Sequence, residues 1–485
     1  MRHPQNARIA ILLLIASLTL GGCNSRHASE PDATVPPAHA DATVSPESPP
    51  IVERTFEQRL GTRFQPVAGG DGLELAIDRI PIPDFPGTFA IWGASGRDDA
   101  GNVLLGVSTV WTKDASRPSA RLFVFDPTTE TLSPAGDVMN SLDRLDLARE
   151  ATLPLKAGRI AADAKQGEPT LCRESQMKIH TKFITMDDGW TYFASMDEWN
   201  EREDGSQLPY WGSHFWRCRV GDDQWQHLKS VPEGVIALSG VGRYLFGLGY
   251  FGHVVYRYDT SSGDWKRREI GSYKGHISRN VVSDARGHVF VPRLTTPQSD
   301  GAAADTIVEL VELNADLEEI QATPLLHYPV TGNASSHGLV GFANLRDGSI
   351  AITTSIGYLY RLVPSDSGPT QVAPVGWFHP DGESYASSLV PLDGDRYLGG
   401  VTKRKGSSFE WVVYDLEQDV AQKFEVEITD VPEHGMKSVL LYGSNTRDDH
   451  GNLYLVGGYK TADGSRHLPL CLRVGLLNPD GENGE

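Results

Sequence analysis

Short apolar runs alternate with glycine-bearing polar turns from residue 91 to residue 474. Two stretches show the pattern most clearly, IWGASGRDDAGNVLLG at 91–106 and LYGSNTRDDHGNLYLVG at 441–457. Each holds an apolar strand, an Arg-Asp-Asp turn closed by glycine, and a second apolar strand. Weaker copies lie between them: MDDGWTYFAS at 186–195, VGRYLFGLG at 241–249, SDARGHVFV at 283–291, LRDGSIAIT at 345–353 and LDGDRYLGG at 392–400. A further strand follows each turn, as in ARLFVFD (120–126), HFWRCRV (214–220) and HVVYRYD (253–259). Apolar–polar alternation with turn signals about every 8–12 residues predicts a meander of short β-strands joined by hairpins.

The turn glycines are Gly101, Gly189, Gly242, Gly287, Gly348, Gly394 and Gly451, spaced by 88, 53, 45, 61, 46 and 57 residues. One unit is therefore about 50 residues long, and the first carries an insertion. Seven such units predict an all-β chain folded as a seven-bladed β-propeller of four-stranded antiparallel blades. The seventh unit ends after its third strand near Val474. The apolar segment 73–80 is expected to pair onto it, which closes the ring and removes an open edge. In the insertion, 137–176, the sequence SLDRLDLARE at 141–150 places Leu142, Leu145 and Leu147 at a spacing that predicts a short amphipathic helix. The acidic loop 197–206 is expected to be solvated. Over residues 73–476 the chain resembles the broad superfamily of seven-bladed propellers that includes kelch, NHL and virginiamycin B lyase-like repeats. It departs from kelch itself: only DDQW (222–225) and SGDW (262–265) carry the outer-strand tryptophan, and the paired glycines are not repeated consistently.

The N-terminus has the character of an address. Arg2 and Arg8 flank the start of an apolar stretch at 9–20 that is too short to span a bilayer, as in a secretory signal peptide. Leu20-Gly21-Gly22-Cys23 follows and resembles the bacterial lipobox, which implies cleavage after residue 22 and a diacylglycerol on Cys23. Asn24 at the next position, by resemblance to the enterobacterial sorting rule, implies an outer-membrane destination facing the periplasm or exported. Residues 24–52 hold six prolines and no aromatic residue, a composition that cannot bury enough apolar surface to order itself. The expected organisation is a signal peptide at 1–22, a lipidated tether at 23–52, a propeller at 53–479 and a tail at 480–485. An oxidising periplasm would allow one disulfide, Cys172 with Cys218 being the pair within one repeat.

Composition narrows the partners. Lys and Arg number 44 against 63 Asp and Glu, a formal charge of −19, which becomes −21 once Arg2 and Arg8 are removed. Nucleic acid and anionic lipid surfaces both require a basic face and are excluded as main partners. The membrane is reached through the Cys23 anchor, and the remaining partner is a carbohydrate or another envelope protein.

The chemistry rests on histidine. His276 and His337 lie eleven residues before the turn glycines of their units, Glu383 lies eleven before its own, and His180 lies nine before Gly189, on the same strand parity. In a propeller the innermost strands surround the axis, so these four side chains are expected near one axial mouth. Three imidazoles and a carboxylate are a set that one divalent metal ion accepts. His214 and His253, at the starts of third strands, are the expected bases, and Arg279, three residues after His276, the expected anion clamp. By architectural analogy with propeller lyases and lactonases, the metal would acidify a substrate C–H for elimination or activate water for hydrolysis. The same histidines also fit simple hydrogen bonding at blade junctions. The other reading is a scaffold that docks an envelope protein or glycan through the loop bearing Trp199, Tyr210 and Trp211. No HExxH, G-x-S-x-G, P-loop or CxxC motif is present.

Overall fold

The computed structural model describes residues 62–63, 74–112, 117–154, 169–202, 206–222, 224–249, 253–271, 278–295, 307–329, 338–392, 395–426, 428 and 432–477. The signal segment, Cys23 and the tail therefore lie outside the described residues. The chain divides into two compact units: residues 53–151 with 171–485, and residues 1–52 with 152–170. The first holds seven antiparallel sheets arranged as a seven-bladed β-propeller. Blades 1 to 7 cover residues 88–137, 178–231, 235–269, 282–324, 339–377, 385–426 and 436–477. Blade 3 shows the plan: Val235–Val241, Tyr244–Gly249, Val254–Asp259 and Trp265–Glu269 pair in sequence order.

Position in the blade decides the pattern of each strand. Second strands are covered on both faces by neighbouring blades, and Val103–Thr109 and Thr191–Met196 are buried along their whole length. That demands continuous apolar or small residues in place of alternation. Outer strands such as Thr131–Asp137 alternate between exposed and half-buried positions. The apolar clusters bridge neighbouring blades; one joins Val103 and Phe125 of blade 1 to Phe193 and Trp216 of blade 2 and to Tyr454 and Cys471 of blade 7. Near the axis the inner strands come so close that glycine is required. A Cβ on Gly96 would stand 2.2 Å from the Phe183 carbonyl oxygen, and one on Gly443 would stand 1.8 Å from that of Ser387.

Glu74–Arg79 pairs antiparallel with His467–Leu477 as the fourth strand of blade 7, which is the ring closure expected of segment 73–80. Thr62–Arg63 adds a fifth, outermost strand. Asp78 accepts from Arg473 Nε at 3.0 Å and Nη2 at 2.6 Å, and Arg473 Nη1 donates to Glu130 of blade 1 at 2.8 Å. The closing strand is thus fastened to blades 7 and 1 by charge as well as by its ladder.

Four expectations change. The insertion's helix is Val138–Arg144, starting earlier than 141 because the Asp137 side chain caps Asn140 N–H; it buries Leu142 but leaves Leu145 and Leu147 exposed. The rest of the insertion adds a strand pair, Glu150–Pro154 with Pro169–Arg173. In the acidic loop, Asp197 is buried and Glu198 pairs with Lys178 at 2.6 Å, so the loop is held against blade 2. Trp199 and Trp211 are buried, which removes them as exposed docking residues. Cys218 is a free thiol buried in the cluster that also contains Cys471, and no bond joins it to Cys172.

Candidate functional site

The axial mouth is built from the starts of the inner strands. His180 belongs to the blade 2 segment Lys178-Ile179-His180-Thr181-Lys182, whose alternation directs Lys178, His180 and Lys182 to one side. Trp92 stands between the two pieces of the blade 1 inner strand, Thr88–Ala90 and Ser95–Arg97, and Tyr442 lies in the blade 7 inner strand Met436–Arg447. Arg279 precedes the blade 4 inner strand Val282–Ser283. These elements converge. The guanidinium of Arg279 lies 5.9 Å from the Trp92 ring centroid and 5.1 Å from that of Tyr442, and its Nη1 donates to His180 Nε2 at 3.0 Å. His180 stacks on Trp92 at 6.1 Å with 11° between planes, and Lys178 Nζ stands 5.0 Å from the same ring. Tyr385 of blade 6 hydrogen-bonds Arg279.

The electrostatics follow from burial beside fixed cations. Burial, with Arg279 and Lys178 adding to it, pushes the His180 imidazolium well below the usual histidine range, so the ring is neutral. Arginine only donates, so His180 Nε2 is the acceptor and Nδ1 carries the proton. The ammonium of Lys182 donates to the Gly443 carbonyl at 3.2 Å, and burial lowers it to about 8. The buried indole Nε1–H of Trp92 has no acceptor among the described residues. Trp92, His180, Lys182 and Arg279 line a cavity of about 10 Å³, room for about one water. The mouth therefore presents Lys178, Lys182 and Arg279 with two aromatic rings, on a chain whose formal charge is −19.

Only part of the expected metal set can be placed. His276 and His337 lie outside the described residues. Glu383 is exposed in the loop before the blade 6 inner strand piece Tyr385–Ala386. His180 has its Nε2 lone pair taken by Arg279, and that guanidinium puts a fixed positive charge where a cation would sit. The described part of the set is thus arranged for an anion, with Arg279 and His180 brought together and Glu383 on the rim. Among the described residues, one other group could hold a metal by proximity, Asp284, His288 and Glu312. Arg286 already occupies it, with Nη2 at 2.5 Å from Asp284 and 2.8 Å from Glu312. It also reaches the Ser365 carbonyl at 2.8 Å, which makes the group a latch between blades 4 and 5.

The two expected bases go elsewhere. His253 is fully buried with a left-handed φ of 44°, and its carbonyl accepts from Ile270 N–H at 2.9 Å. His214, also fully buried, lies in the third strand of blade 2, Ser213–Cys218, where Nε2 meets Glu174 at 2.9 Å and Nδ1 meets His227 Nε2 at 3.0 Å. Parity alone does not carry a third-strand side chain to the axis, because two strands stand between it and the channel.

Trp92, Tyr385, Tyr442 and the two lysines were missed by the histidine count. A signal existed: Trp92, His180, Tyr385 and Tyr442 each lie nine residues before the turn glycine of their unit. Among the described residues, that slot lines the mouth.

No protein-family model and no curated protein matches the chain. Among solved structures, it is similar to the extracellular domain of BT4673 from B. thetaiotaomicron, assigned as a hybrid two-component system, at 14% identity and a TM-score of 0.44. That match covers 81% of this chain, which spans 39% of the length of that one. An unknown-function protein from Dyadobacter fermentans matches at 11% identity and a TM-score of 0.42, over 81% of this chain and 97% of its own. Sqt1 from Saccharomyces cerevisiae matches at 11% and 0.40, over 80% and 86%. The propeller assignment rests on this chain's own strand order.

Proposed function

We propose that this propeller, tethered to the cell envelope through lipid on Cys23, binds a carboxylate-bearing carbohydrate at its axial mouth. The observation that carries this reading is Arg279, held against the Trp92 and Tyr442 rings with Lys178 and Lys182 alongside. The Arg279 guanidinium and the Lys182 ammonium supply charge-assisted hydrogen bonds to a carboxylate, while Lys178 beside them is paired with Glu198. The Trp92 ring offers an apolar face to a sugar, and its unmatched Nε1–H offers a donor to a hydroxyl or carboxylate oxygen. On a protein of formal charge −19 such a patch is local, so it attracts an anion only at short range.

Titration calorimetry on the chain lacking residues 1–23 tests it, with uronate oligosaccharides against their neutral counterparts. The expected result is saturable binding of the uronates alone, weakened at least ~10-fold by Arg279→Ala and further by added salt. Equal binding of neutral and acidic sugars, or an Arg279→Ala protein that binds as the parent does, would overturn the reading.

A further inference from the structure

The outer half of blade 2 carries a second constellation that the axial mouth does not use. His214 and Ser230 are directly opposite each other on the paired strands Ser213–Cys218 and Gln226–Val231. Ser230 Oγ lies 3.1 Å from His214 Nδ1 and 3.3 Å from His227 Nε2. On the far side of the ring, His214 Nε2 lies 2.9 Å from the fully buried carboxylate of Glu174. That carboxylate comes from the insertion and is fixed by Arg149, which reaches it through its backbone N–H at 3.0 Å, Nε at 2.9 Å and Nη2 at 2.6 Å.

The proton positions follow. Burial alone would raise the Glu174 pKa, but the hydrogen bonds from Arg149 and His214 outweigh it and hold the carboxyl at about 2, so it is ionised. An ionised carboxylate only accepts, so the His214 Nε2–H donates to Glu174, and Nδ1 is the ring atom that faces Ser230 Oγ and His227 Nε2. Burial, with His214 adding to it, lowers His227 to about 4, which keeps it a neutral donor near pH 7.

Access comes from the surface. Ser230 is exposed, and it borders a groove of about 240 Å³ with Lys229, Tyr256 and Trp265. His227 lines a second groove of about 700 Å³, with Trp225 and with Leu145 and Leu147, the two leucines that the insertion's helix leaves exposed. Ser230 is thus the surface end of the network, with its residue bordering an open groove.

We propose that Ser230 and His214, oriented by Glu174, are a nucleophile–base pair that hydrolyses carboxylic esters at the outer edge of blade 2. Ser230 Oγ attacks the carbonyl carbon and forms the new C–O bond while its proton passes to His214 Nδ1. The imidazolium so formed is stabilised by Glu174 through Nε2–H. His227 Nε2–H, 3.3 Å from the nucleophile, is the donor at hand for the oxyanion. The bond to the leaving alcohol breaks, and its oxygen takes the proton from Nδ1. Water then attacks the acyl-serine, returns a proton to Ser230 through His214, and releases the carboxylic acid. Tyr256 and Trp265, which line the same groove as Ser230, suit a short apolar acyl group. Glu174 and Arg149 are positioning residues, since they act through the imidazole.

The test uses the full chain in detergent, an alkyl fluorophosphonate and peptide mapping by mass spectrometry. The reagent reads the same chemistry: an O–P bond forms at the nucleophile, the P–F bond breaks, and fluoride leaves. The expected result is one adduct, on Ser230, formed at least ~100-fold more slowly in His214→Gln. Hydrolysis of p-nitrophenyl butyrate should be lost in Ser230→Ala, and in Glu174→Gln kcat should fall about 10-fold with KM unchanged. A parent protein that shows no adduct at Ser230, or butyrate hydrolysis that survives Ser230→Ala, would overturn the proposal; both readouts hold even if the His214 variant misfolds, because Ser230 is exposed.

Discussion

Lys182 shows what a single side chain contributes at the axis. Its ammonium is buried on the inner strand of blade 2, and burial lowers it from 10.5 to about 8. Between pH 8 and 10.5 the unfolded chain binds more protons than the folded one, so stability rises with pH across that window. Below pH 8 the folded state carries the full cost of a buried charge. Lys182→Met should therefore stabilise the protein at pH 7 by up to about 3 kcal/mol, with no gain left above pH 10.5. Urea unfolding at the two pH values checks this; an unchanged or lower midpoint at pH 7 would contradict it. The same substitution should weaken uronate binding, since the cost is retained for the charge it places at the mouth. Residues of this kind were the least legible in the sequence. Lys182 reads as an ordinary solvated lysine until the alternation from Lys178 is set against the axis. The pairing of His180 with Arg279, which engages the His180 Nε2 lone pair, joins positions 99 apart in the chain.

At the scale of elements, the repeated turn is a hydrogen-bonded device and not only a break in the strands. Asp448 Oδ1 accepts from His450 and Asn452 N–H at 2.9 Å each, and Oδ2 from Asn452 Nδ2 and Tyr454 OH at 2.8 Å each. Asp98 does the same for Asn102, at 2.8 Å to both its backbone and side-chain nitrogens. Gly101 and Gly451 follow at φ 88° and 80°, a conformation that a side chain would strain. Asp448→Ala removes four acceptor contacts and leaves the Tyr454 hydroxyl buried without one. It should cost about 2–3 kcal/mol, whereas Asp448→Asn should cost less than about 1 kcal/mol. Denaturant midpoints of the two variants give the comparison. Elements of this kind were readable because their chemistry is local. The insertion's helix was only partly so: its cap at Asp137 lies outside the leucine pattern, and Asp146 at φ 55° stops it where the leucines would have continued.

For the whole molecule, closure of the ring is the decisive contact. Asp78 and Arg473 are buried partners from opposite ends of the chain, and Glu130 ties the same guanidinium to blade 1. Asp78→Ala removes two of the charged hydrogen bonds to the buried Arg473 guanidinium and should cost about 3 kcal/mol, because removing one member of a buried pair is strongly destabilising. Urea unfolding measures the loss, and faster proteolysis near residue 74 should accompany it. An unaltered midpoint would mean that the ladder of Glu74–Arg79 on His467–Leu477 closes the ring without help from the charge.

The seven units, their turns, the apolar middle strands and the closing strand were all determined by the sequence on its own. The units, turns and middle strands each depend on neighbours within about ten positions, and repetition made a weak signal additive; the closing strand followed from the strand that the seventh unit lacks. Only the tertiary structure decided which polar residues meet. A side chain's distance from the axis depends on the place of its strand in the blade as well as on parity. For that reason His180 reaches the mouth, while His214, two strands further out, meets Glu174 of the insertion.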